Sequence, residues 1–105
     1  MNLPKIKISG KTYEMQEPRA RMWRTFAEFD ENKKNLSTAE FIDKHCEIIA
    51  MVFNGVTADE LLDELNLSDV IKIYRDCYIC LSELMTSKLQ VLEKNSAGGE
   101  ETAEI

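Results

Sequence analysis

The longest regular hydrophobic pattern in the chain runs from Ser68 to Lys94. At about 100° per residue, its apolar side chains cover an arc of roughly 180°. The residues on that arc are Val70, Ile71, Ile73, Tyr74, Cys77, Tyr78, Cys80, Leu81, Leu84, Met85, Leu89, Val91 and Leu92. A helix that packs on one neighbour needs a stripe of only about 100°, so the pattern predicts a long helix that contacts two or more other elements. Ser68 is its predicted N-cap, and Asn95 to Gly99 are its predicted stop.

Two residues break the pattern of this predicted helix. Ile79 lies among the polar positions, and Lys88 lies within the apolar arc. A lysine inside an apolar stripe indicates that the last turns extend beyond the core, where its stem packs while its ammonium group stays in water. The apolar residues that follow it, Leu89, Val91 and Leu92, are therefore available to a partner.

The segment from Lys5 to Met15 predicts a β-hairpin, because apolar and polar residues alternate on both sides of a glycine. A two-residue Gly10-Lys11 loop sets the predicted register of its strands. The opposite pairs in that register are Ile8 with Tyr13, Ile6 with Met15 and Lys7 with Glu14. An isolated hairpin of two strands is marginally stable in water, so its apolar face is expected to be covered by a helix.

A first helix is predicted directly after the hairpin. Pro18 opens it, because proline is tolerated in the first turn of a helix. The helix is expected to end near Asp30, in a charged turn that continues to Asn35. Its apolar face consists of Ala20, Met22, Trp23, Phe26, Ala27 and Phe29.

Two capping boxes predict the starts of a second and a third helix. Ser37 to Glu40 and Thr57 to Glu60 both place a hydroxyl residue three positions before a glutamate. Asn54-Gly55 is expected to end the second helix in a left-handed cap. The predicted inner residues are Phe41, Ile42, Ile48, Ile49, Val52 and Phe53 in the second helix, and Leu61, Leu62 and Leu65 in the third.

These elements predict an α+β fold that is predominantly α, with an N-terminal β-hairpin followed by about four helices packed around a long C-terminal helix. A chain of 105 residues with 44% hydrophobic residues has room for one domain. We assign residues 1–94 to that domain. Residues 95–105 lack large apolar side chains before Ile105 and are predicted to form a disordered acidic tail.

Charge and composition exclude several classes of function. The net charge of -6 argues against a nucleic-acid partner, because phosphate contacts need a basic face. No apolar run approaches the roughly 18 residues that a membrane span requires, and the N-terminus has no hydrophobic signal region. We therefore expect a cytosolic protein whose three cysteines are reduced thiols.

The residues that could carry chemistry favour packing over catalysis. Cys77 and Cys80 form a CxxC pair that, with His45 and Cys46, could indicate a zinc or redox site. The pair lies in the middle of a predicted helix, where neither kind of site is usual, and a free cysteine packs as a small apolar residue. No nucleophile with a supporting histidine and no phosphate-binding glycine loop is recognisable. The sequence predicts no enzyme, no catalytic residue, no metal site and no cofactor.

The one basic concentration in the chain is Arg19, Arg21 and Arg24 around Trp23. Arginine and aromatic residues are typical of binding hot spots. The favoured interpretation is that Trp23 packs in the core and the arginines are solvated, with Arg24 near Glu28. The candidate partner-binding residues are Arg21, Arg24, Ile79, Leu89, Val91 and Leu92.

Four stretches of the sequence carry a resemblance. They are KIKISGKTYE at 5–14, EPRARMWR at 17–24, EFDE at 28–31 and LMTSKL at 84–89. Together they resemble tail assembly chaperones of long-tailed, siphovirus-type phages and prophages of Gram-positive bacteria, over most of Leu3 to Leu92. The resemblance implies a protein of the bacterial host cytoplasm that binds the tape measure protein, helps to recruit tail tube subunits and is absent from the mature virion.

Two other classes of function stay open at this point. The first is a small helical regulator that binds protein or DNA through the Arg19 to Arg24 helix, although the acidic charge weighs against DNA. The second is a metal-dependent enzyme. Among partners, the tape measure protein and the tail tube protein follow from the resemblance, a homo-oligomer is open, and neither nucleic acid nor membrane is expected.

Overall fold

The computed structural model describes residues 3–97 of the chain, and it describes the side chains of residues 3–87. Two strands come first, β1 (Lys5–Ile8) and β2 (Lys11–Glu14). Four α-helices follow, namely α1 (Ala20–Asn32), α2 (Thr38–Val52), α3 (Ala58–Glu64) and α4 (Leu67–Ala97), with a short 3-10 helix (Lys33–Asn35) between α1 and α2. The fold is α+β and predominantly α, as predicted.

The hairpin turn is Ser9-Gly10 instead of the predicted Gly10-Lys11. Both turn residues have positive φ, 51° at Ser9 and 80° at Gly10, as a type I′ turn requires. The strands therefore pair Lys5 with Glu14 and Ile6 with Tyr13, and the predicted register is wrong by two residues.

A shift of two residues leaves every side chain of the hairpin on its predicted face, because side chains alternate with a period of two. Ile6, Ile8 and Met15 are buried, and Tyr13 is half-buried. The hairpin is also bonded to the end of α2, since the backbone N–H of Gln16 donates to Val52 O at 3.0 Å. The predicted covering of the apolar face by helices is confirmed.

Both predicted capping boxes are confirmed. In α2, Ser37 Oγ accepts from the backbone N–H of Glu40 at 3.1 Å, and Glu40 Oε1 accepts from the backbone N–H of Ser37 at 2.9 Å. Thr57 and Glu60 make the same two bonds at the start of α3, at 3.1 and 2.9 Å. Gly55, just after α2, has a φ of 99°, as expected for its left-handed cap.

The boundaries of α1 and α4 differ from the prediction. α1 begins after its N-cap Arg19, so Pro18 lies outside the helix, and it continues to Asn32. The N-cap of α4 is Asn66 instead of Ser68, because Asn66 Oδ1 accepts from the backbone N–H of Asp69 at 2.9 Å. The hydroxyl of Ser68 donates to the same oxygen at 2.8 Å, so it is engaged in holding the cap.

α4 extends to Ala97, three residues past the predicted end of the helix at Lys94. Asparagine, serine and alanine are tolerated in helices, and the strong helix breakers Gly98 and Gly99 follow Ala97 in the sequence. Residues 98–105 of the predicted acidic tail lie outside the described residues. The assignment of residues 1–94 to one domain stays a prediction.

α2 packs on the three other helices, α1, α3 and α4. α4 packs mainly against α1 and α2. Leu62 was predicted in the core but is 40% exposed, because short α3 turns one side to α2 and buries Leu61 there. The largest fully buried side chains are Phe26, Phe53, Met15, Ile49, Leu61, Val52, Cys46 and Cys77.

Candidate partner-binding site

The apolar arc of α4 is divided between the core and the solvent. Val70, Cys77 and Leu81 are buried. Ile71, Tyr78 and Met85 are 39%, 37% and 39% exposed, although the sequence pattern assigned all three to the same apolar arc. They follow one another at intervals of seven residues, or about two helical turns, and so lie along one line of the helix. We call these three residues the α4 stripe.

Other predicted partner-binding residues on α4 lie near this stripe in sequence. Ile79 is 44% exposed, in agreement with its position among polar residues. The backbone of Leu89, Val91 and Leu92 continues α4 as a helix, and their side chains lie outside the described residues. Their role in binding stays a prediction.

The predicted arginine candidates lie on α1, which packs against α4. Arg21 and Arg24 are both exposed. Arg24 Nε lies 3.3 Å from Glu28 Oε2, which is the expected i, i+4 ion pair. An exposed pair of this kind is worth little in stability, about 0 to 1 kcal/mol, and the role of the two arginines in binding stays a prediction.

Trp23 lies where α1 meets the α4 stripe. It is half-buried, and its ring is stacked on that of Tyr78 with centroids 5.9 Å apart and planes at 24°. The prediction that Trp23 packs inward is therefore correct for only part of its side chain. The stack holds Tyr78 against α1 while leaving the phenol partly in solvent, so the two rings form an apolar border between the helices.

A pocket of about 230 Å³ opens beside this border, between α1, α2 and α4. Most of its inner wall is aromatic, and two of its residues belong to the α4 stripe. The lining residues are Phe29, Asp30, Lys33, Phe41, His45, Ile71, Tyr74, Arg75 and Tyr78. We call it the aromatic pocket.

His45 is the polar residue at the base of the aromatic pocket. It is buried, and its ring centroid lies 4.4 Å from that of Tyr74 and 4.5 Å from that of Phe41. His45 Nδ1 donates to the backbone carbonyl of Phe41 at 2.8 Å, since a carbonyl only accepts. Burial lowers the pKa of His45, and the positive charge of nearby Lys33 lowers it further. The hydrogen bond to Phe41 acts in the opposite direction and raises the pKa. The imidazole is therefore neutral at pH 7.

The charged residues of the pocket lie at its rim. Lys33 Nζ is 2.9 Å from Asp30 Oδ1, so these two charges are paired. Arg75 is exposed and has no ion-pair partner among the residues whose side chains are described. Burial raises the pKa of Tyr74, and nearby Asp30 raises it further, so the Tyr74 phenol stays neutral. Among the described side chains, Arg75 is thus a cation without an ion-pair partner beside an uncharged aromatic wall.

A second and wider groove lies between α1 and α2 on another side of the domain. Its volume is about 560 Å³, and its wall mixes apolar and charged side chains. It is lined by Thr25, Glu28, Phe29, Glu31, Asn32, Leu36, Lys44, Glu47, Ile48 and Met51. The polar wall makes this groove a weaker candidate for an apolar partner than the aromatic pocket.

All three cysteines lie within the described residues, and their side chains are buried thiols. Burial raises the pKa of Cys77 to about 12, with Cys80 and Asp76 contributing. Burial also raises the pKa of Cys46 and Cys80. Thiolates are the reactive form of cysteine, and this environment disfavours them. The prediction that the CxxC pair packs in the core is confirmed.

The described part of the chain contains neither a cluster of metal-ligand side chains nor a membrane-spanning helix. No three histidine, cysteine or carboxylate side chains in that part of the chain converge as metal ligands would. No helix in the same part is both long and apolar enough to cross a membrane.

Comparison with known proteins identifies a family. The family model described as "Phage tail chaperone protein" matches residues 4–102, which include the hairpin and all four helices. Neither a curated protein nor a solved structure matches the chain. Since the family model covers nearly the whole sequence and agrees with the resemblance of the four stretches, the chain belongs to the phage tail chaperone protein family and assists tail assembly in the host cell.

Proposed function

We propose that this chaperone binds the tape measure protein of its own phage through apolar surface, in the host cytoplasm, and helps to recruit tail tube subunits. The observation that carries the proposal is the set of exposed apolar side chains on α4: Ile71, Tyr78 and Met85 of the α4 stripe, and Ile79 outside the stripe. Exposed apolar surface on a small domain is typical of a protein interaction site.

The charge of the chain suits the protection of an apolar client. A long helical protein that has not yet been enclosed by a tail tube exposes apolar stripes, which promote aggregation. A partner with a net charge of -6 can cover those stripes and keep the complex soluble. Family membership supports such a non-enzymatic role and gives no support to a DNA-binding regulator or a metal-dependent enzyme.

Several copies of the chaperone are expected on one client, because one domain of this size covers only a short part of a long helix. Each contact can then be weak, since neighbouring sites on one client raise the effective concentration of the next copy. We assign the contacts on α4 to Ile79, Leu89, Val91 and Leu92, and those on α1 to Arg21 and Arg24.

Co-expression with the tape measure protein of the same phage tests this proposal. The unmodified chain is expected to keep the client soluble and to co-purify with it at more than one copy per client. Leu89→Asp combined with Leu92→Asp should abolish co-purification, because two carboxylates cannot enter an apolar contact without a large desolvation cost.

The matched control adds the same two charges to the same helix at Thr86 and Ser87, which are both exposed. Thr86→Asp with Ser87→Asp should leave co-purification unchanged. If the unmodified chain never co-purifies with the client, the proposed function is wrong. If the leucine variant has lost its helical circular dichroism, those leucines support the fold and the contact lies elsewhere.

A further inference from the structure

We infer that the aromatic pocket and the α4 stripe form a docking site for one amphipathic helix of the client, which inserts a bulky apolar side chain into the pocket and places a carboxylate beside Arg75. This inference rests on the proposed function, because the partner helix is taken to belong to the same client. It assigns a defined site and a defined chemistry to that interaction.

The direction of the bound helix follows from the α4 stripe. Ile71, Tyr78 and Met85 are separated by seven residues each, and this spacing is how one helix presents apolar side chains to another helix lying along it. Ile71 and Tyr78 also line the aromatic pocket. A helix that follows the stripe therefore passes over the mouth of the pocket.

The size of the pocket selects a single large side chain. A cavity of about 150 Å³ with apolar walls is enough to hold a benzene molecule. The aromatic pocket, at about 230 Å³, has room for the side chain of phenylalanine, leucine or methionine. One such residue projecting from a partner helix would act as a knob between α1, α2 and α4.

The aromatic inner wall of the pocket favours an uncharged knob, because the charged lining residues lie at the rim. His45 is neutral and its Nδ1–H is already bonded to the Phe41 carbonyl, and Tyr74 is a neutral phenol. Neither group can compensate a buried charge, whose transfer from water costs far more than an apolar contact returns. Edge and face contacts with Phe29 and Phe41 favour an apolar or aromatic side chain instead.

Arg75 is the reason to expect a carboxylate on the partner helix. This residue is one turn after Ile71 and one turn before Tyr78 on α4, so its guanidinium lies between two residues of the stripe. It has no ion-pair partner among the described side chains, whereas neighbouring Lys33 is paired with Asp30. A guanidinium binds a carboxylate through two parallel hydrogen bonds, so an acidic residue one turn from the knob would fix the register of the helix.

A second copy of this chain is the competing occupant. Two copies would each bring a net charge of -6, and this repulsion opposes their association. A client helix that is apolar on one side needs only one carboxylate, which Arg75 attracts. Such a helix does not bring the net charge of -6 that a second copy brings. The client helix is therefore favoured.

Competition for the client tests the inference. The tape measure protein is co-expressed with equal amounts of unmodified chain and one variant, and the ratio of the two recovered with it is measured by intact mass spectrometry. Ile71→Asp should lower the recovered ratio by about tenfold or more, as expected when a central apolar contact is lost. Arg75→Glu should lower it by about two- to fivefold at moderate salt, as expected for an exposed ion pair.

Matched controls separate the site from general effects of charge. Leu62 on α3 is 40% exposed, almost the same as Ile71, and it does not line the aromatic pocket. Lys7 on the outer side of β1 is exposed and lies opposite Thr12. Leu62→Asp and Lys7→Glu should each be recovered with the client at the same level as the unmodified chain.

The outcomes distinguish this inference from the proposed function. If the unmodified chain is not recovered with the client, the proposed function has failed. If the unmodified chain is recovered with the client, and Ile71→Asp and Arg75→Glu are each recovered in equal amount to it, the docking site is wrong while the proposed function stands. If Ile71→Asp is unfolded by circular dichroism, Arg75→Glu alone decides.

Sedimentation of the chain without client tests the competing occupant. The unmodified chain and Ile71→Asp are expected to have the same mass in solution. An unmodified chain that dimerises, together with a variant that does not, would show that a second copy occupies the stripe and would overturn the inference.

Discussion

Helices α2 and α4 both show a clear apolar pattern, yet the fold uses them differently. α2 packs against three helices and buries His45, Cys46, Ile48, Ile49 and Val52. α4 is about twice as long, packs mainly against α1 and α2, and leaves its stripe at 37 to 39% exposure. Among the side chains that the structure describes, the longer pattern therefore belongs to the less buried helix.

The difference shows what the width of an apolar arc measures. A wide arc predicts that a helix has more than one surface to cover. In α2 the apolar arc packs against α1, α3 and α4. In α4 the side chains of Val70, Cys77 and Leu81 are buried, whereas those of Ile71, Tyr78 and Met85 are only partly covered. The proposed client contact uses this partly exposed side of the arc.

The largest expected effect compares the same substitution on the two helices. Ile49→Ala should lower the free energy of unfolding by about 2 to 5 kcal/mol, because Ile49 is fully buried and its loss leaves a cavity. Ile71→Ala should change it by no more than about 0.5 kcal/mol, as is usual at exposed positions. Urea titration of both variants measures the two values. Equal losses would show that the stripe belongs to the core.

A second pair of substitutions tests the division within α4. Leu81 is 3% exposed and Met85, one turn later, is 39% exposed. Leu81→Ala should cost about 2 to 3 kcal/mol, toward the lower end of the range for buried residues, because exposed Met85 lies only one turn away and the site is close to solvent. Met85→Ala should shift the urea midpoint little. A larger loss of unfolding free energy for Met85→Ala than for Leu81→Ala would show that a different side of α4 faces the core.

Features with local signals could be predicted from the sequence. The capping boxes at Ser37 and Thr57 were predicted correctly, since the bonds that define them join residues three positions apart. The hairpin was predicted with the correct faces but the wrong turn. Glycine is suited to the first position of a type II′ turn, as in the predicted Gly10-Lys11 loop, and to the second position of a type I′ turn, as in the observed Ser9-Gly10 loop. Two registers that differ by two residues bury the same side chains, so the hydrophobic pattern does not distinguish them.

The docking site could not be predicted, because periodicity is the same for a side that faces the core and a side that faces a partner. Tyr78 was assigned to the core, and only the packing of α1 on α4 shows that it lies at a border against Trp23. The aromatic pocket joins residues of α1, α2 and α4 that are far apart in sequence. The position of His45 in this pocket follows from tertiary contacts alone.

A smaller effect is expected from the caps of the two helices. Ser37→Ala removes the side-chain acceptor of the α2 box and should cost about 1 kcal/mol. The Ser37 backbone and side-chain bonds lower the pKa of Glu40, so the stabilisation from this box is present above the ordinary pKa of 4.5 and is lost as the pH falls through the lower folded-state value. Asn66→Ala at α4 should cost a similar amount without that acid dependence, because Asn66 does not titrate. Urea titrations at pH 7 and pH 3.5 compare the two caps, and an equal loss of cap energy at low pH would contradict the difference.

The smallest expected effect is the pH dependence of the free energy of unfolding that His45 causes. This residue lies where α2 meets Tyr74 of α4. Burial lowers the folded-state pKa of His45 below its ordinary value of 6.5, so the unfolded chain binds a proton at a higher pH than the folded chain does. Stability from this residue is therefore complete above about pH 6.5 and declines as the pH falls toward the folded-state value. The free energy of unfolding should decrease between pH 7.5 and 5.5, a range above the ordinary titration of carboxylates. His45→Phe keeps an aromatic ring between Phe41 and Tyr74 but cannot titrate, so its unfolding free energy should be nearly flat over that range. The same slope in both proteins would show that His45 is not the group whose protonation weakens the contact between α2 and α4.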